Sequence, residues 1–275
     1  MMTSEPETPV VQPENFKAAH ARKQALASQL RKTLALADRV HVMADGSRWF
    51  VRFRSVEILE HWLVLISFTI LSLTGLMQRF ASLNIFAWAI NAVFRDIEAV
   101  QAVHQATAIC FVALCLFHFV RILTVWFVMR EPGAMLPRRG DGSDLLKMIQ
   151  YNLGSIKLRP LFDRFAIEEK HGYWALLIFA PIMVLTGLIQ WFPTFVTRLF
   201  PVAVIPLARS IHSMSAFLAI AVVLTWHLYY TVFKERNSSM FTGLMSEQTM
   251  RENHPLEHQR IIAAHEKIQT MRKGQ

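Results

Sequence analysis

Charge is scarce in this chain of 275 residues. Asp, Glu, Lys and Arg make up 18% of it, whereas 53% of the residues are hydrophobic. The mean hydropathy of +0.30 and the twenty phenylalanines point the same way, because a water-exposed surface needs more charged side chains than this chain can supply. The composition therefore excludes a soluble domain and predicts a polytopic membrane protein.

Cysteine is almost absent. The only two, Cys110 and Cys115, lie in an apolar stretch, where we interpret them as small apolar residues rather than as a disulfide. No C-x-x-C-H motif occurs, so a haem in this chain is not attached through thioethers. Residues 1–48 are polar and contain no short apolar core of the kind that a secretory signal has.

Four runs without a charged residue follow the polar first part of the chain. Each is close to the roughly 20 residues that a membrane-spanning helix requires. The runs lie between Glu60 and Arg79, between Glu98 and Arg121, between Lys170 and Arg198, and between Arg209 and Lys234. The first run is the shortest, so we expect its helix to begin a few residues before Glu60.

The net charge of the chain is +9, and its basic residues are unevenly distributed around these runs. Nine Lys and Arg residues precede the first run, eight separate the second from the third, and seven follow the fourth. The two remaining loops hold only Arg79, Arg95, Arg198 and Arg209. By the positive-inside rule, both termini and the long middle loop are cytoplasmic. Anionic membrane lipid accounts for the basic balance, and we expect no nucleic acid as a partner.

The flanking segments divide the chain into three predicted parts. Residues 1–48 form a cytoplasmic N-terminal extension that is partly helical, residues 49–234 the four-span domain, and residues 235–275 a polar cytoplasmic tail. Within the extension, a helix is predicted from Glu14 to Ala44 and ends at Gly46. Its weak apolar stripe suits a solvated helix as well as one that contacts a partner or lipid. A short helix from about Asp144 to Leu153 is predicted in the middle loop.

An internal repeat relates the two halves of the spanning region. The stretch HWLVLISFTILSLTGLMQRF, which starts at His61, aligns without gaps with YWALLIFAPIMVLTGLIQWF, which starts at Tyr173. Both contain LTGL, and Gly75 and Gly187 within it thin the helix where a neighbour or a flat macrocycle comes close. The fold class is therefore all-α: a four-helix transmembrane bundle built from two parallel helix pairs, with an N-terminal cytoplasmic helical extension.

Five histidines lie in or beside the apolar runs, and the predicted topology sorts them into two depths. His104 and His212 begin their spans near the outer boundary. The other three lie towards the inner boundary: His61, His118 and His227. An imidazole inside a membrane requires a partner or a metal.

Histidines on different helices at two depths are what two non-covalent b-type haems with paired axial imidazoles need. Zinc is disfavoured, because no carboxylate or thiolate clusters with the imidazoles at one level. An ion or proton path would use intramembrane Asp or Glu, and the four uncharged runs contain none. Arg54 and Arg121, near the inner boundary, are candidates to pair with haem propionates.

Three histidines lie at the inner depth, one more than a pair of axial ligands requires. The repeat makes His118 and His227 equivalent and favours that pair. Depth favours His61 with His227, because Arg121 suggests that His118 lies near the propionates. The residues alone leave the two pairings open.

The chain resembles the cytochrome b (gamma) subunit of respiratory formate dehydrogenases and the wider prokaryotic di-heme cytochrome b superfamily. The stretches that carry the resemblance run from Arg52 to Glu257 and are RFRSVEILEHW, SLTGL, AVHQATAI, EEKHGYWA, VLTGLIQWF, SIHSMSA and WHLYY. The tail SSMFTGLMSEQTMRENHPLE is similar to relatives found beside multihaem c-type cytochromes.

The resemblance implies a ligand set. The outer haem iron is held by the residues matching His104 and His212, and the inner one by those matching His61 and His227. His118 is then an alternative inner ligand or a neighbour of a quinone site. The chain departs from this resemblance at two places. The spacing from His212 to His227 is one residue longer than in the formate dehydrogenase type, which predicts a bent helix or a tilted haem. His171 stands at a position that we interpret as surface.

Together these features predict an electron-transfer subunit of a quinone-linked complex rather than a stand-alone enzyme. Located in the bacterial inner membrane, it is expected to pass electrons between quinone and a periplasmic redox partner. The resemblance implies that this partner is either a dehydrogenase or a multihaem cytochrome c. Two rival hypotheses are a haem-free membrane anchor and a haem-based sensor. His254 and His258, four residues apart, could bind a metal, but a solvated tail helix is the favoured interpretation.

Overall fold

The computed structural model describes residues 13–128 and 133–274. This part of the chain is mostly helical, with one small sheet outside the membrane bundle. In chain order its elements are α1 (Pro13–Ala37), β1 (Val40–Val42), β2 (Arg48–Val51), α2 (Ser55–Arg79), α3 (Asn84–Ala89) with a π-helical turn at Ile90–Phe94, α4 (Ile97–Leu123) with a π-helical turn at Thr124–Val128, α5 (Asp141–Asn152), α6 (Ile167–Trp191), α7 (Pro193–Leu199), α8 (Val204–Val222) continued by a π-helical segment at Val223–Lys234, α9 (Ser239–Thr242), β3 (Leu244–Ser246), α10 (Glu247–Asn253) and α11 (Pro255–Lys273).

Four of these helices are long and apolar enough to cross a membrane, which confirms the predicted number of spans. They cover Ser55–Arg79, Ile97–Val128, Ile167–Trp191 and Val204–Lys234. The first begins before Glu60, as its short uncharged run predicted. Glu57 and Glu60 therefore lie inside a spanning helix, and the other observed spans include Glu98, Glu168 and Glu169. The expectation that the four spans contain no Asp or Glu is therefore wrong.

The first spanning helix packs most closely on the second and the third on the fourth, so α2 lies along α4 and α6 lies along α8. These two hairpins are the two halves of the sequence repeat. We call the end of the bundle where α2 begins and the π-helical segment ends the terminal end. The opposite end, which carries α3 and α7, is the loop end.

The two ends of the chain form one unit at the terminal end, which we call the cap (α1, β1–β3 and α9–α11). Strand β2 is the centre of an antiparallel sheet, with Phe50 opposite Val40 on β1 and Met245 on β3. Helix α1 packs along α11, and Phe50, Met245, Met250 and Ile261 form a buried core. The predicted division at residues 48 and 235 stays a prediction. Phe50 comes from the predicted four-span part and the other three core residues from the predicted tail, while Leu36 and Val40 of the N-terminal extension pack against them.

The N-terminal helix is shorter than the sequence predicted. It ends at Ala37 and not at Ala44, because residues 40–51 form the hairpin of β1 and β2. Gly46 lies in the turn of this hairpin with φ of +80° and does not end a helix. The helix predicted in the middle loop is present as α5, three residues longer at its start. The twelve residues before Pro13 lie outside the described residues.

Arg52 joins the cap to the bundle. Its guanidinium donates to Glu257 of α11 at 2.8 Å and to Glu169 of α6 at 3.0 Å, and its side chain is fully buried. Glu257 also accepts a hydrogen bond from Arg39 at 2.7 Å. Burial opposes ionisation of Glu257, but Arg52 and Arg39 outweigh it and lower the pKa of this carboxyl. A buried charge needs such partners, so the cap is held against α6 by ionic contacts.

His254 belongs to this buried cluster, and its interpretation as part of a solvated tail helix is wrong. Its Nδ1–H donates to the carbonyl oxygen of Asp163 at 2.9 Å, which leaves Nε2 to accept from Arg52 at 3.2 Å. Burial, and next the charge of Arg52, lower the pKa of His254 to about 4. His258 pairs separately with Glu247 at 3.1 Å. Across residues 13–128 and 133–274 no group of three or more potential metal ligands occurs.

Candidate functional site

The structure brings His104 of α4 and His212 of α8 opposite each other inside the loop end of the bundle. Their ring centroids lie 6.5 Å apart, with the ring planes at 65°. Each histidine lies early in its helix, so both are a similar number of helical turns from the loop end. The sequence-predicted outer pair is therefore a pair in space.

A threonine fixes the tautomer of each of these two imidazoles. The Thr74 hydroxyl oxygen lies 2.7 Å from the carbonyl oxygen of Ile70 and 2.8 Å from Nδ1 of His104. Since the carbonyl can only accept, the hydroxyl proton is donated to Ile70 and the threonine oxygen accepts the Nδ1–H of His104. The second half of the repeat does the same with Thr186 and His212, also at 2.8 Å. Both Nε2 atoms are thereby left unprotonated and free to bind a metal.

The glycine after each threonine leaves room for the ring. A Cβ built at Gly75 would lie 3.5 Å from Cε1 of His104, and one at Gly187 would lie 3.5 Å from Cε1 of His212. A longer side chain at either position would overlap the imidazole. The Thr-Gly dipeptide of LTGL therefore orients the histidine and makes space for it in both halves.

A second pair lies at the terminal end. The ring centroids of His61 on α2 and His227 on the π-helical segment are 6.3 Å apart. Gly172 of α6 faces His227, and a Cβ there would lie 3.6 Å from Nδ1 of that ring. Nδ1 of His61 is buried without a hydrogen-bond partner, and Phe241 of α9 packs edge-on against the ring at 5.7 Å. No threonine orients this pair among the described contacts.

Both pairs have the spacing that two axial imidazoles on one iron require. A nitrogen ligand binds a metal at about 2 Å and the ring centroid lies roughly 1 Å behind it, so two such rings have centroids roughly 6 to 6.5 Å apart. The donor chemistry agrees, because His104 and His212 present unprotonated nitrogens to each other. A pair of imidazoles with no third ligand suits a macrocycle that fills the other positions of the iron. The residues present therefore fit b-type haem.

The helix changes type between His212 and His227. The helix is α-helical to Val222 and π-helical from Val223 to Lys234. An all-α helix would place the two imidazoles about 60° apart around its axis. A π-helix turns by only roughly 85° per residue, so the observed mixture reduces that angle to roughly 20°. Both histidines consequently face the same side of the bundle.

His118, the alternative inner residue, has other partners. Its Nε2 lies 3.2 Å from the Tyr173 hydroxyl, and its Nδ1 lies 3.3 Å from Glu60. Glu60 is held by Arg121 through two hydrogen bonds of 2.9 and 2.5 Å. The structure places His227 opposite His61 and puts His118 in a separate polar cluster, which consists of Glu60, His118, Arg121 and Tyr173.

Two further sequence expectations concern single residues. Arg54, a candidate for haem propionates, is exposed, whereas Arg121, the other candidate, is engaged by Glu60. Their role at propionates stays a prediction. His171 is not a surface residue, because it is half-buried between the rings of Trp174 and Trp226, at centroid distances of 5.5 and 5.8 Å.

Several residues of the site escaped the sequence interpretation. Thr74 and Thr186 stood in the repeated LTGL motif, and their repetition was a signal that could have found them. Glu60 was treated as the boundary of a span, and Tyr173 as the repeat equivalent of His61. No local signal placed Tyr173 beside His118, since that contact joins α6 to α4.

Comparison with known proteins relates the chain to cytochrome b subunits. The family model described as prokaryotic cytochrome b561 matches residues 52–243. The chain is 24% identical over 222 residues to the formate dehydrogenase, nitrate-inducible, cytochrome b556(Fdn) subunit of Escherichia coli K12, covering 80% of this chain and 95% of that protein. It is 22% identical to the cytochrome b556(fdo) subunit of the same organism, covering 79% and 95%. It is also 22% identical to the formate dehydrogenase cytochrome b556 subunit of Haemophilus influenzae, covering 74% and 80%.

Proposed function

Because the chain belongs to the prokaryotic cytochrome b561 family, which carries b-type haem, we propose that it holds two haems and passes electrons across the bacterial inner membrane. The single observation that carries this proposal is the pairing of four histidines at two depths, with centroid spacings of 6.5 and 6.3 Å. A b-type haem supplies one-electron chemistry when it is bound. The two pairs lie roughly 20 Å apart along the bundle, so they span much of the hydrocarbon core.

In this proposal His104 and His212 hold the outer haem, and His61 and His227 hold the inner one. Thr74 and Thr186 orient the outer imidazoles, and the glycines beside them give the rings room. The helix formed by α8 and the π-helical segment contributes a ligand to each haem. This helix therefore fixes the relative position of the two redox centres.

The test is an optical spectrum of the purified protein together with single-histidine variants. The reduced-minus-oxidised spectrum is expected to show b-type bands with two haems per chain. His104→Ala and His212→Ala should each remove only the outer haem, and His61→Ala and His227→Ala only the inner one. His118→Ala is the matched control and should keep both. If His61→Ala keeps both haems while His118→Ala loses one, the inner assignment is wrong.

We further propose that quinone reacts beside the inner haem, at the cluster of Glu60, His118, Arg121 and Tyr173. Quinone oxygens bind hydrogen-bond donors, and this cluster offers an imidazole and a phenol that lie 3.2 Å apart. The His118 side chain is 31% exposed, so a lipid-soluble molecule can reach it from the side of the bundle. His118→Asn should slow the reduction of the haems by quinol while the spectrum stays unchanged. An unchanged rate would place the quinone elsewhere.

The terminal end is cytoplasmic in this proposal, because most of the Lys and Arg residues flank it. The loop end then faces the periplasm, where the outer haem exchanges electrons with a redox partner. The similarity to formate dehydrogenase cytochrome b556 subunits supports a dehydrogenase as that partner, and a multihaem cytochrome c is the second candidate. Single cysteines at Ser82 and Ser143 should react with a membrane-impermeant reagent from the periplasmic and the cytoplasmic side, respectively. The opposite labelling would reverse the topology.

A further inference from the structure

Glu168, in the first turn of α6, is a buried acid that the proposed function leaves unused. Its side chain is only 3% exposed. One carboxylate oxygen, Oε1, accepts from the Tyr230 hydroxyl at 2.8 Å and lies 3.5 Å from Nη2 of Arg159. The other oxygen, Oε2, is buried with no hydrogen-bond partner. A buried carboxylate with an unsatisfied oxygen is costly as an anion and much less so as a neutral acid.

Glu168 lies one helical turn from the inner histidine pair. It is four residues before Gly172, the glycine that faces His227, and one helical turn measures about 5.4 Å. Trp226, the neighbour of His227, donates its indole N–H to the backbone carbonyl of Glu168 at 3.2 Å. Within residues 13–128 and 133–274, no hydrogen bond or ion pair joins the Glu168 side chain to a histidine of either pair. The acid is therefore close to the inner redox site without being part of it.

A chain of hydrogen bonds connects Glu168 to water at the terminal end. The exposed Lys234 donates through Nζ to the Tyr230 hydroxyl at 2.8 Å, and that hydroxyl donates to Glu168. Lys234 lines an open cavity of about 220 Å³, together with Met148, Tyr151, Arg159, Glu235, Thr249, Glu252 and Asn253. A proton from this cavity can pass from Lys234 to the tyrosine oxygen while the tyrosine proton moves to Glu168.

Arg159 supplies the positive charge that faces the Glu168 carboxylate, at 3.5 Å from Oε1. Arg159 is shared, because it also donates to Glu235 at 2.9 Å. Burial raises the pKa of Glu235, although Arg159 opposes the effect. The groups that face Glu168 are Arg159 and Glu235 from the flanking loops, Tyr230 and Lys234 from the π-helical segment, and Glu169 on its own helix. Glu60, the buried acid on the opposite side, differs because both of its carboxylate oxygens accept hydrogen bonds from Arg121.

We propose that Glu168 takes up one proton from the cytoplasmic cavity when the inner haem accepts an electron, and releases it when the electron leaves. The inference rests on the proposed function, since it requires a haem between His61 and His227. The balance is simple: the electron comes from the quinol or from the periplasmic partner, and the proton comes from water through Lys234 and Tyr230. A new negative charge nearby favours the neutral form of an acid, which is the physical reason for the coupling.

The measurement is a redox titration of the haem bands between pH 6 and pH 8. In the wild type, the inner midpoint potential is expected to fall by up to about 59 mV for each tenfold decrease in proton concentration, the one-electron equivalent of that factor. Glu168→Gln keeps the shape of the side chain and should abolish this slope with both haems bound. Glu252→Gln, at the rim of the same cavity, is the matched control and should keep the slope. A slope that survives in Glu168→Gln overturns the inference.

Two further measurements test the inference without the Glu168→Gln variant. The infrared difference spectrum of the wild type on reduction should contain the C=O band of a newly protonated acid, and its absence overturns the inference without any variant. In Tyr230→Phe, proton uptake after rapid reduction, followed with a pH dye, should become slower, and an unchanged rate overturns the route. A wild-type protein without haem would contradict the proposed function. Two haems with midpoint potentials that do not depend on pH would contradict only this inference.

Discussion

The hydroxyl oxygen of Thr74 lies 2.8 Å from Nδ1 of His104, and the repeat reproduces this contact between Thr186 and His212 at the same distance. In each half, the first helix of a hairpin sets the tautomer of a histidine on the second. The contact is complete within one hairpin, so each half of the chain carries its ligand already oriented. The two halves then need only pack together for Nε2 of His104 to face Nε2 of His212.

Replacing Thr74 with valine should weaken outer haem binding. Valine keeps the shape of threonine but removes the oxygen that accepts the Nδ1–H of His104, and loss of such an orienting partner typically costs about 10- to 100-fold in metal affinity. The haem content and the absorption band of the outer haem measure the effect. Thr69→Val is the control, because the Thr69 hydroxyl bonds only to the carbonyl of Leu65 in its own helix. Equal outer haem content in the two variants would contradict the assignment.

The glycine beside each threonine should tolerate replacement by alanine but not by a larger residue. A Cβ at Gly75 would lie 3.5 Å from Cε1 of His104, which is ordinary van der Waals contact, so Gly75→Ala should keep the outer haem. Gly75→Val adds two methyl groups towards the ring and should lose it. The inner haem should persist in both variants. Haem extraction and quantification distinguish the cases, and a valine variant with two haems would disprove the steric argument.

Deleting one residue from the π-helical segment should preserve the inner haem. Without Val223, an α-helix from His212 places residue 227 within about 20° and less than about 1 Å of its present position, because fourteen α-helical steps nearly equal ten α-helical and five π-helical ones. Inserting one alanine at the same point should instead rotate the imidazole away and lose the inner haem. The spectra of the two variants provide the test. Loss of the inner haem from both would show that the π-helical geometry itself is required.

The cap should lose stability as the pH falls from neutral. The pKa of His254 is about 4 in the folded protein and 6.5 ordinarily, so the unfolded state binds the proton first. The contribution of neutral His254 is complete above about pH 6.5 and decreases by about 2 kcal/mol by pH 5. Hydrogen exchange at the amides of β3, corrected for its intrinsic pH dependence, measures the change.

His254→Gln is the matched variant for that experiment. Glutamine can still donate to Asp163 and accept from Arg52, but it does not titrate. Its cap stability should therefore be independent of pH between 6.5 and 5, whatever its absolute value. A slope equal to that of the wild type would assign the pH dependence to another group. Glu257, whose lowered pKa matters only in more acidic solution, is then the next candidate.

The sequence predicted the spans and the histidine depths because both depend on properties that are local to one helix. Uncharged runs mark where a helix can cross lipid, and residue spacing alone places His104 and His212 at one depth. The repeat also predicted which helices form hairpins. The partner of His227 could not be derived in this way, because the choice between His61 and His118 depends on how two hairpins meet.

The cap was missed for a related reason. Residues 40–51 contain two strands of three and four residues, too short for an alternating pattern to stand out. The Asp45-Gly46 dipeptide was the available signal, since Asp-Gly favours a tight hairpin turn. Strand β3 comes from the other end of the chain, and its pairing with β2 is a long-range contact that no local pattern reveals. The buried position of Arg52 follows from that pairing and was equally hidden.

The sheet of the cap imposes an order on assembly. Its central strand β2 leads into α2, which bears His61, and β3 follows the helix that bears His227. During synthesis the helices with His104 and His212 enter the membrane before residues 244–246 have been made, so the outer site can close while the chain is still growing. The inner site is braced only when β3 pairs with β2. A chain that lacked only β3 would therefore keep the contact between His104 and His212 and lose part of the support around His61 and His227.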